Sequence, residues 1–310
     1  MEIKIYKPEY KKAWDAFVDC SKNGTFLHCR DFIEYHGDRF EDYSLMFYIG
    51  GELLALMPGH ITGKVYYSHQ GLTYGGLIMS PETTTSDVLT IFEYLTVTLR
   101  HQGIKQIVYK AIPHMYHRLP SEEDLYALFR YNAVLSVRNI SSTILLPNEI
   151  KYSASRKNGL KKAEKNRLTV LESGNFSSFW KILEDNLSSK YDKTPVHSLA
   201  EITYIKEKFQ DNIHLYTVAD PDNKISGGCL IFEMENIVHA QYTAATGEGK
   251  GMGVIDLLID HIIRTYSHKT YFDYGISTEN NGLYLNENLI YQKEGFGARG
   301  TVYDIYTINL

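Results

Sequence analysis

Ile290-Tyr291-Gln292-Lys293-Glu294-Gly295-Phe296 is the stretch on which the reading of this chain turns. Ahead of it lie a strand-like run from Asn236 to Ala245, a glycine-rich turn from Gly247 to Gly253, and an amphipathic run from Val254 to Tyr266 with helical spacing. A second short apolar run, Thr270 to Tyr274, leads to a helix over Leu285 to Lys293 and a last strand over Val302 to Ile308. About 165 residues upstream a degraded copy, Leu125-Tyr126-Ala127-Leu128-Phe129-Arg130-Tyr131-Asn132-Ala133, stands behind the same order of elements. The recurrence predicts one fold used twice.

The first half supports that reading element by element. A strand at Ile3 to Tyr6 precedes a helix carrying Trp14, Phe17 and Val18, then a short helix near Asp31 to Tyr35. Tyr43 to Ile49 and Leu53 to His60 flank Gly50-Gly51-Glu52 as a hairpin, glycine supplying the positive φ of the turn. Val65 to Tyr67 and Leu72 to Met79 extend the sheet, Ser86 to Gln102 reads as a helix stopped by Gly103, and Ile104 to Lys110 as a strand. Glu122 to Arg130 and Val134 to Leu146 complete the set as helix and strand. In the second half Ile213 to Ala219 and Ile225 to Glu233 form the matching hairpin across Asp220 to Lys224. Pro147-Asn148-Glu149 is the natural boundary, giving domains 1–147 and 148–310 of a mixed α/β (α+β) class.

Composition narrows the class. Hydrophobic content of 44% with 22% charged residues is that of a globular protein. The charged start Met1-Glu2-Ile3-Lys4 and the lack of a run of about 20 apolar residues predict no signal peptide, no transmembrane segment and a cytoplasmic location. Cys20, Cys29 and Cys229 form no Cys-x-x-Cys pair, so neither a disulfide framework nor a metal site is expected. The net charge of −5 is uneven: residues 151–167 hold seven bases (Lys151, Arg156, Lys157, Lys161, Lys162, Lys165, Arg167) against Glu164 alone. A basic segment on an acidic body predicts a local anionic partner and not a DNA-binding protein, although a solvated helix face accounts for it equally.

Several residues carry candidate chemistry. Gly247-Glu248-Gly249-Lys250-Gly251-Met252-Gly253 can turn backbone N–H groups inward ahead of a helix N-terminus, which suits a pyrophosphate; Gly249, Gly251 and Gly253 are the candidate ligand-binding positions. A flexible loop would need the same glycines. On strand Asn236 to Ala245, period-two alternation sets His239 and Gln241 on one face and Ala240 and Tyr242 on the other. Asp273 opens a polar loop containing Ser277 and Glu279, and an amine that must lose a proton needs a base such as Glu279, Asp273 or His239. In the first half His69, Gln70 and Tyr74, with Arg118 beyond the strand end at Lys110, are candidate substrate contacts; turn chemistry is the competing reading. Arg156 and Lys157 are placed to meet a diphosphate of a nucleotide-linked or lipid-linked sugar.

The order strand, glycine loop, helix, strand and then Tyr291-Gln292-Lys293-Glu294-Gly295-Phe296 resembles the GNAT N-acyltransferase superfamily. Its donor loop has the form Arg/Gln-x-x-Gly-x-Gly/Ala; the matching positions run Glu248-Gly249-Lys250-Gly251-Met252-Gly253, with Glu248 departing from the pattern. Two such domains, with the basic helix Ser155 to Lys165 opening the second, resemble the Fem-type aminoacyltransferases and their relatives in polysaccharide loci. The resemblance implies two tandem GNAT-like domains, a degenerate first one that recognises the acceptor and a catalytic second one. It implies transfer from acyl-CoA to an amine of a cell-envelope or polysaccharide precursor, with Tyr291 as acid on the departing thiolate and Lys293 stabilising negative charge. Its alternatives are an aminoacyl-tRNA donor, in which the basic segment contacts tRNA, and a duplicated scaffold that binds without catalysis.

Overall fold

The structure is a computed structural model. The description covers residues 1–310 apart from His36, Asp38 and Asp192, and apart from the side chains of Lys190 and Tyr191. Contacts gather the chain into two compact units: Met1–Ile140 with Asn280–Leu283 and Val302–Leu310, and Ser141–Glu279 with Tyr284–Thr301.

In the first unit, strands Glu2–Ile5, Leu45–Ile49, Glu52–Met57 and Ile78–Met79 form one antiparallel sheet in that order. Gly50 and Gly51, at φ 62° and 89°, make the two-residue turn that pairs Ile49 with Glu52; both central positions need positive φ, which only glycine adopts freely. Helix Thr85–His101 starts at Thr84, whose hydroxyl and N–H exchange hydrogen bonds with Asp87, and stops before Gly103 at φ 82°. It buries Val88, Ile91, Phe92, Leu95 and Leu99 against Phe47, Ala55, Met57 and Ile107. A second run of strands, His60–Thr62, Val65–Tyr67 and Gln106–Lys110, ends on residues Ile305–Asn309 of the C-terminal strand.

The expected strand Leu72 to Met79 is a correction: only Ile78–Met79 is strand. Val65–Tyr67 runs parallel to Gln106–Val108, and beyond that point residues 69–76 turn back onto the end of the second strand. Gly75 N–H bonds Lys110 O at 3.2 Å, and Lys110 Nζ donates to Gln70 O at 2.8 Å and Leu72 O at 2.7 Å. A Cβ on Gly75 would lie 1.9 Å from Ser68 O, so the segment is pressed against the strand it leaves. The end of strand Gln106–Lys110 is therefore covered by the chain itself.

In the second unit the strand order is residues 141–145 of strand Val134–Leu145, then Tyr271–Ile276, Ile237–Ala245, Ile225–Glu233, Ile213–Ala219 and Thr169–Glu172. Adjacent glycines show how it is sandwiched. A Cβ on Gly227 would meet Val254 Cγ1 at 2.7 Å, and one on Gly228 would meet the Phe179 ring at 2.7 Å. Successive strand residues face opposite ways, so helix Val254–Thr265 covers one face and helix Phe176–Tyr191 the other. The first helix buries Val254, Leu258, Ile259 and Ile262 against Val218, Cys229, Ile231 and Val238. Helices Phe176–Tyr191 and Leu199–Lys208, the short helix Gly247–Met252 and the edge strand Thr169–Glu172 are elements the sequence reading does not contain.

Candidate functional site

Ile237–Ala245 and Tyr271–Ile276 run parallel but pair at only three positions, Ile237 with Tyr271, Val238 with Phe272 and His239 with Asp273. Past that point two irregularities separate them. Leu230 pairs with Tyr242 and Ile231 with Ala240, which leaves Gln241 as an extra residue, a bulge that bends its strand. On the neighbouring strand Asp273 pairs with Thr143 but Ile276 with Ser141, so Tyr274 and Gly275 together stand opposite Ser142. The strands splay, and a groove of about 340 Å³ opens between them. Ala240, Gln241, Thr243, Tyr274, Gln292 and Lys293 line it, with Ile255, Ile259 and Phe296 as apolar floor. At one end Asn186 donates to Ala245 O at 2.9 Å and accepts from Lys250 Nζ, tying helix Phe176–Tyr191 to the strand end.

The bulge corrects the expected alternation. With Gln241 extruded, Tyr242 and His239 fall opposite Leu230 and Phe232, two residues of one face, so they share a side of the sheet. Tyr242 packs edge-on against Trp180 at 5.4 Å and its hydroxyl bonds His197 Nδ1 at 2.7 Å; burial raises its pKa.

Lys293 is a buried charged group in the groove wall. It is 7% exposed, and its Nζ donates to Gly275 O at 2.7 Å and Ile276 O at 3.0 Å. Burial pulls its pKa down to about 8, opposed by the nearby Asp273 carboxylate. Asp273 is fully buried and accepts from Ser141 Oγ at 2.5 Å, Thr143 Oγ1 at 3.1 Å and His239 Nδ1 at 2.8 Å. A carboxylate oxygen facing an imidazole nitrogen takes the hydrogen from it, so Nδ1 is the donor of this contact. His239 and Asp273 lie behind the groove wall and do not line it.

The other anticipated residues are scattered. Tyr291 is 67% exposed and outside the groove lining, although its helix neighbours Leu289, Gln292 and Lys293 belong to it. Glu279 accepts from Asn286 Nδ2 at 3.5 Å and lies 3.8 Å from Lys193 Nζ. Ser277 is buried, and its Oγ meets no hydrogen-bond partner among the described residues. In the first unit Arg118 Nη1 donates to Asp19 O and Ser21 O, capping helix Lys11–Cys20. Tyr74 is buried against Tyr116 at 4.5 Å, His69 against His60 at 5.5 Å, and Gln70 Oε1 bonds His60 Nε2 at 3.1 Å. Lys157 is exposed on helix Ala154–Lys165.

The glycine segment departs most from expectation. Instead of an open loop, Gly247–Met252 is a short helix capped by Thr246, and Gly253 at φ 90° joins it to the next. Two of its donors are used internally: Gly249 N–H bonds Thr246 Oγ1 at 3.0 Å and Lys250 N–H bonds Thr246 O at 3.0 Å. A Cβ on Gly253 would sit 2.2 Å from Gly159 O, so helix Ala154–Lys165 lies directly against the junction. Asp256, in the first turn of helix Val254–Thr265, pairs with Arg156 Nη1 at 2.8 Å. The partial positive charge of the helix start is thus answered from within the chain. With the Gly249 and Lys250 N–H groups used inside the helix, the segment is not the open pyrophosphate loop that the glycines suggest. Among the described residues no group of three or more His, Cys, Asp or Glu is placed to hold a metal ion, and no helix is long and apolar enough to cross a membrane.

No family model matches the chain, and no curated protein matches it by sequence. Solved structures do match its fold. FemX aligns over 100% of this chain and 98% of its own, with a TM-score of 0.71 at 10% identity. L-PGS from Bacillus licheniformis aligns over 98% and 92%, with a TM-score of 0.63 at 14% identity. A tandem GNAT protein from the clavulanic acid biosynthesis pathway aligns over 99% and 98%, with a TM-score of 0.55 at 8% identity. The chain has the tandem GNAT-like α/β fold, with a Fem-type resemblance.

Proposed function

We propose that the second unit transfers an acyl or aminoacyl group to an amine in the groove between the splayed strands. The observation that carries this reading is the buried Lys293 ammonium in the groove wall, with two of its three donors held by backbone carbonyls. The remaining N–H is available to the carbonyl oxygen of a donor. The amine nitrogen attacks the donor carbonyl carbon, a C–N bond forms, and negative charge collects on that oxygen beside Lys293. The C–O bond of an ester or the C–S bond of a thioester then breaks, and the amine proton leaves with the departing oxygen or sulfur. Tyr291 takes no step in this account, because the groove wall does not include it.

The acceptor class follows the Fem-type resemblance: an amine on a cell-envelope or polysaccharide precursor, nucleotide-linked or lipid-linked, read by the first unit. That unit is assigned no donor, since residues 69–76 cover the end of its strand Gln106–Lys110. For the donor, a second reading gains ground over acyl-CoA. Asp256 occupies the helix start where a pyrophosphate would go, while Lys157, Lys161, Lys162, Lys165 and Arg167 are all exposed. That combination favours a polyanionic carrier, an aminoacyl-tRNA, over a small diphosphate.

A thermal-shift panel of acyl-CoA thioesters, nucleotide-sugars and charged tRNA tests the reading. A donor at 100 times its Kd adds about 2.7 kcal/mol to stability. The expected result is a shift with an acyl or aminoacyl donor that disappears in Thr243→Trp, which fills the groove. No shift with any donor contradicts it.

A further inference from the structure

We infer that Gly275 is a positioning residue of the proposed transfer site, coupling Lys293 to the His239–Asp273 pair through a left-handed bulge that an L side chain does not fit. The inference rests on the reading of Lys293 as the cation of the groove. In an extended strand successive carbonyls point in opposite directions, so one ammonium cannot normally reach two of them in a row. Lys293 Nζ reaches both Gly275 O and Ile276 O, at 2.7 and 3.0 Å. What turns the two carbonyls to one side is Gly275 itself, at φ 74° inside the bulge.

The same residue rests on His239. A Cβ at Gly275 would have His239 Cε1 at 3.2 Å and Nε2 at 3.8 Å as its nearest contacts outside the strand, among the described residues. The imidazole cannot easily retreat, because Asp273 fixes its Nδ1 at 2.8 Å and is itself held by Ser141 and Thr143. Ser141 and Thr143, Asp273, His239, Gly275 and Lys293 therefore form one mechanical series, and its last member is the one that faces a ligand. Asp273 is the charged group that acts on Lys293 through space, and the His239 ring is the titratable group packed beneath the bulge.

A substitution at Gly275 must displace the imidazole or abandon the positive φ, and either change moves the carbonyls away from Nζ. An ammonium with fewer acceptors binds its proton less tightly. The test follows the 13Cε resonance of Lys293 through a pH titration of the full chain labelled with [13C]lysine, the signal assigned by its loss in Lys293→Arg. In Gly275→Ala the midpoint should fall by at least one pH unit, about a tenfold loss of proton affinity. Gly103→Ala is the control: Gly103 has φ 82° with open space around it, so the same backbone strain should leave Lys293 unmoved. His239→Ala removes the stop beneath the bulge and should also shift the midpoint, which keeps the inference testable if Gly275→Ala does not fold. An unmoved midpoint in either site variant, or an equal shift in Gly103→Ala, overturns it. No substrate is needed, so a shifted midpoint in a protein that transfers nothing sinks the transfer reading alone, and a transferring enzyme with an unmoved midpoint sinks the positioning role alone.

Discussion

Asp256 Oδ1 accepts a hydrogen bond from Arg156 Nη1 at 2.8 Å, with both side chains largely buried, and so joins two helices that start 100 residues apart. The pair does two things at once. It places a carboxylate on the first turn of helix Val254–Thr265, and it anchors helix Ala154–Lys165 across the glycine junction that a coenzyme A pyrophosphate would need.

Removing one partner leaves the other charge buried. Arg156→Ala should therefore destabilise the protein by about 3 kcal/mol, whereas the apolar double replacement Arg156→Leu with Asp256→Leu should lose much less. Urea denaturation of Arg156→Leu, of Asp256→Leu and of the double reads the coupling directly. Additive losses would show that the pair is incidental.

Gly159 supplies a test with an unusual sign. Replacing a mid-helix glycine by alanine ordinarily stabilises by about 0.5–1 kcal/mol. Here a Cβ would lie 2.1 Å from Asp256 Oδ2, so Gly159→Ala should instead lower stability by about 2 kcal/mol or more. Thermal melting of the single variant suffices, and a raised Tm would contradict the helix contact.

How much of this was legible in the sequence depends on the range of the interaction. The Gly50-Gly51 turn, helix Thr85–His101 and the parallel strands are set by local spacing, and their positions could be read from periodicity and turn residues. Helix Phe176–Tyr191 was not, because Ser177, Ser178, Asn186, Ser188 and Ser189 blur its apolar stripe, and its buried face is Phe179, Trp180 and Leu183. The glycine run from Gly247 signalled a loop, but a Thr246 cap and the packing of Gly253 on Gly159 make it helical. Lys293 could be singled out by pattern; its two carbonyl partners could not, since they depend on a bulge. Nor does period-two counting foresee the extra residue at Gln241 that reverses the face of Tyr242.

Stability should respond to alkaline pH with a definite sign. Burial holds both Lys293 and Lys110 down to about 8 in the folded chain, below the lysine value of 10.5. Between those limits the unfolded state binds more protons, so stability rises with pH from about 8 to 10.5, each lysine contributing at most about 1.4 kcal/mol per pH unit. Lys293→Met should remove its share of the slope while leaving that of Lys110. A flat or falling profile in the native chain over this interval would contradict the burial of both ammonium groups, once the titration of other groups is subtracted.

The exposed face of helix Ala154–Lys165 gives a salt prediction. Lys157, Lys161 and Lys165 recur every four residues and lie on one side of the helix. If a charged tRNA lies along them, Lys157→Ala, Lys161→Ala and Lys165→Ala together should weaken binding and flatten the log Kd against log salt slope by about 2–3. Binding whose salt dependence survives the triple replacement would place the polyanion elsewhere.

The most direct test of the central claim is transfer to hydroxylamine, a small amine that asks nothing of the acceptor unit. Charged tRNAs and acyl-CoA thioesters are offered as donors, and hydroxamate formation is followed in the native chain and in Lys293→Met. The account predicts hydroxamate from at least one donor, slowed about 100-fold by the substitution. Hydroxamate formed no faster than in buffer for every donor, or formed equally fast without Lys293, would contradict it.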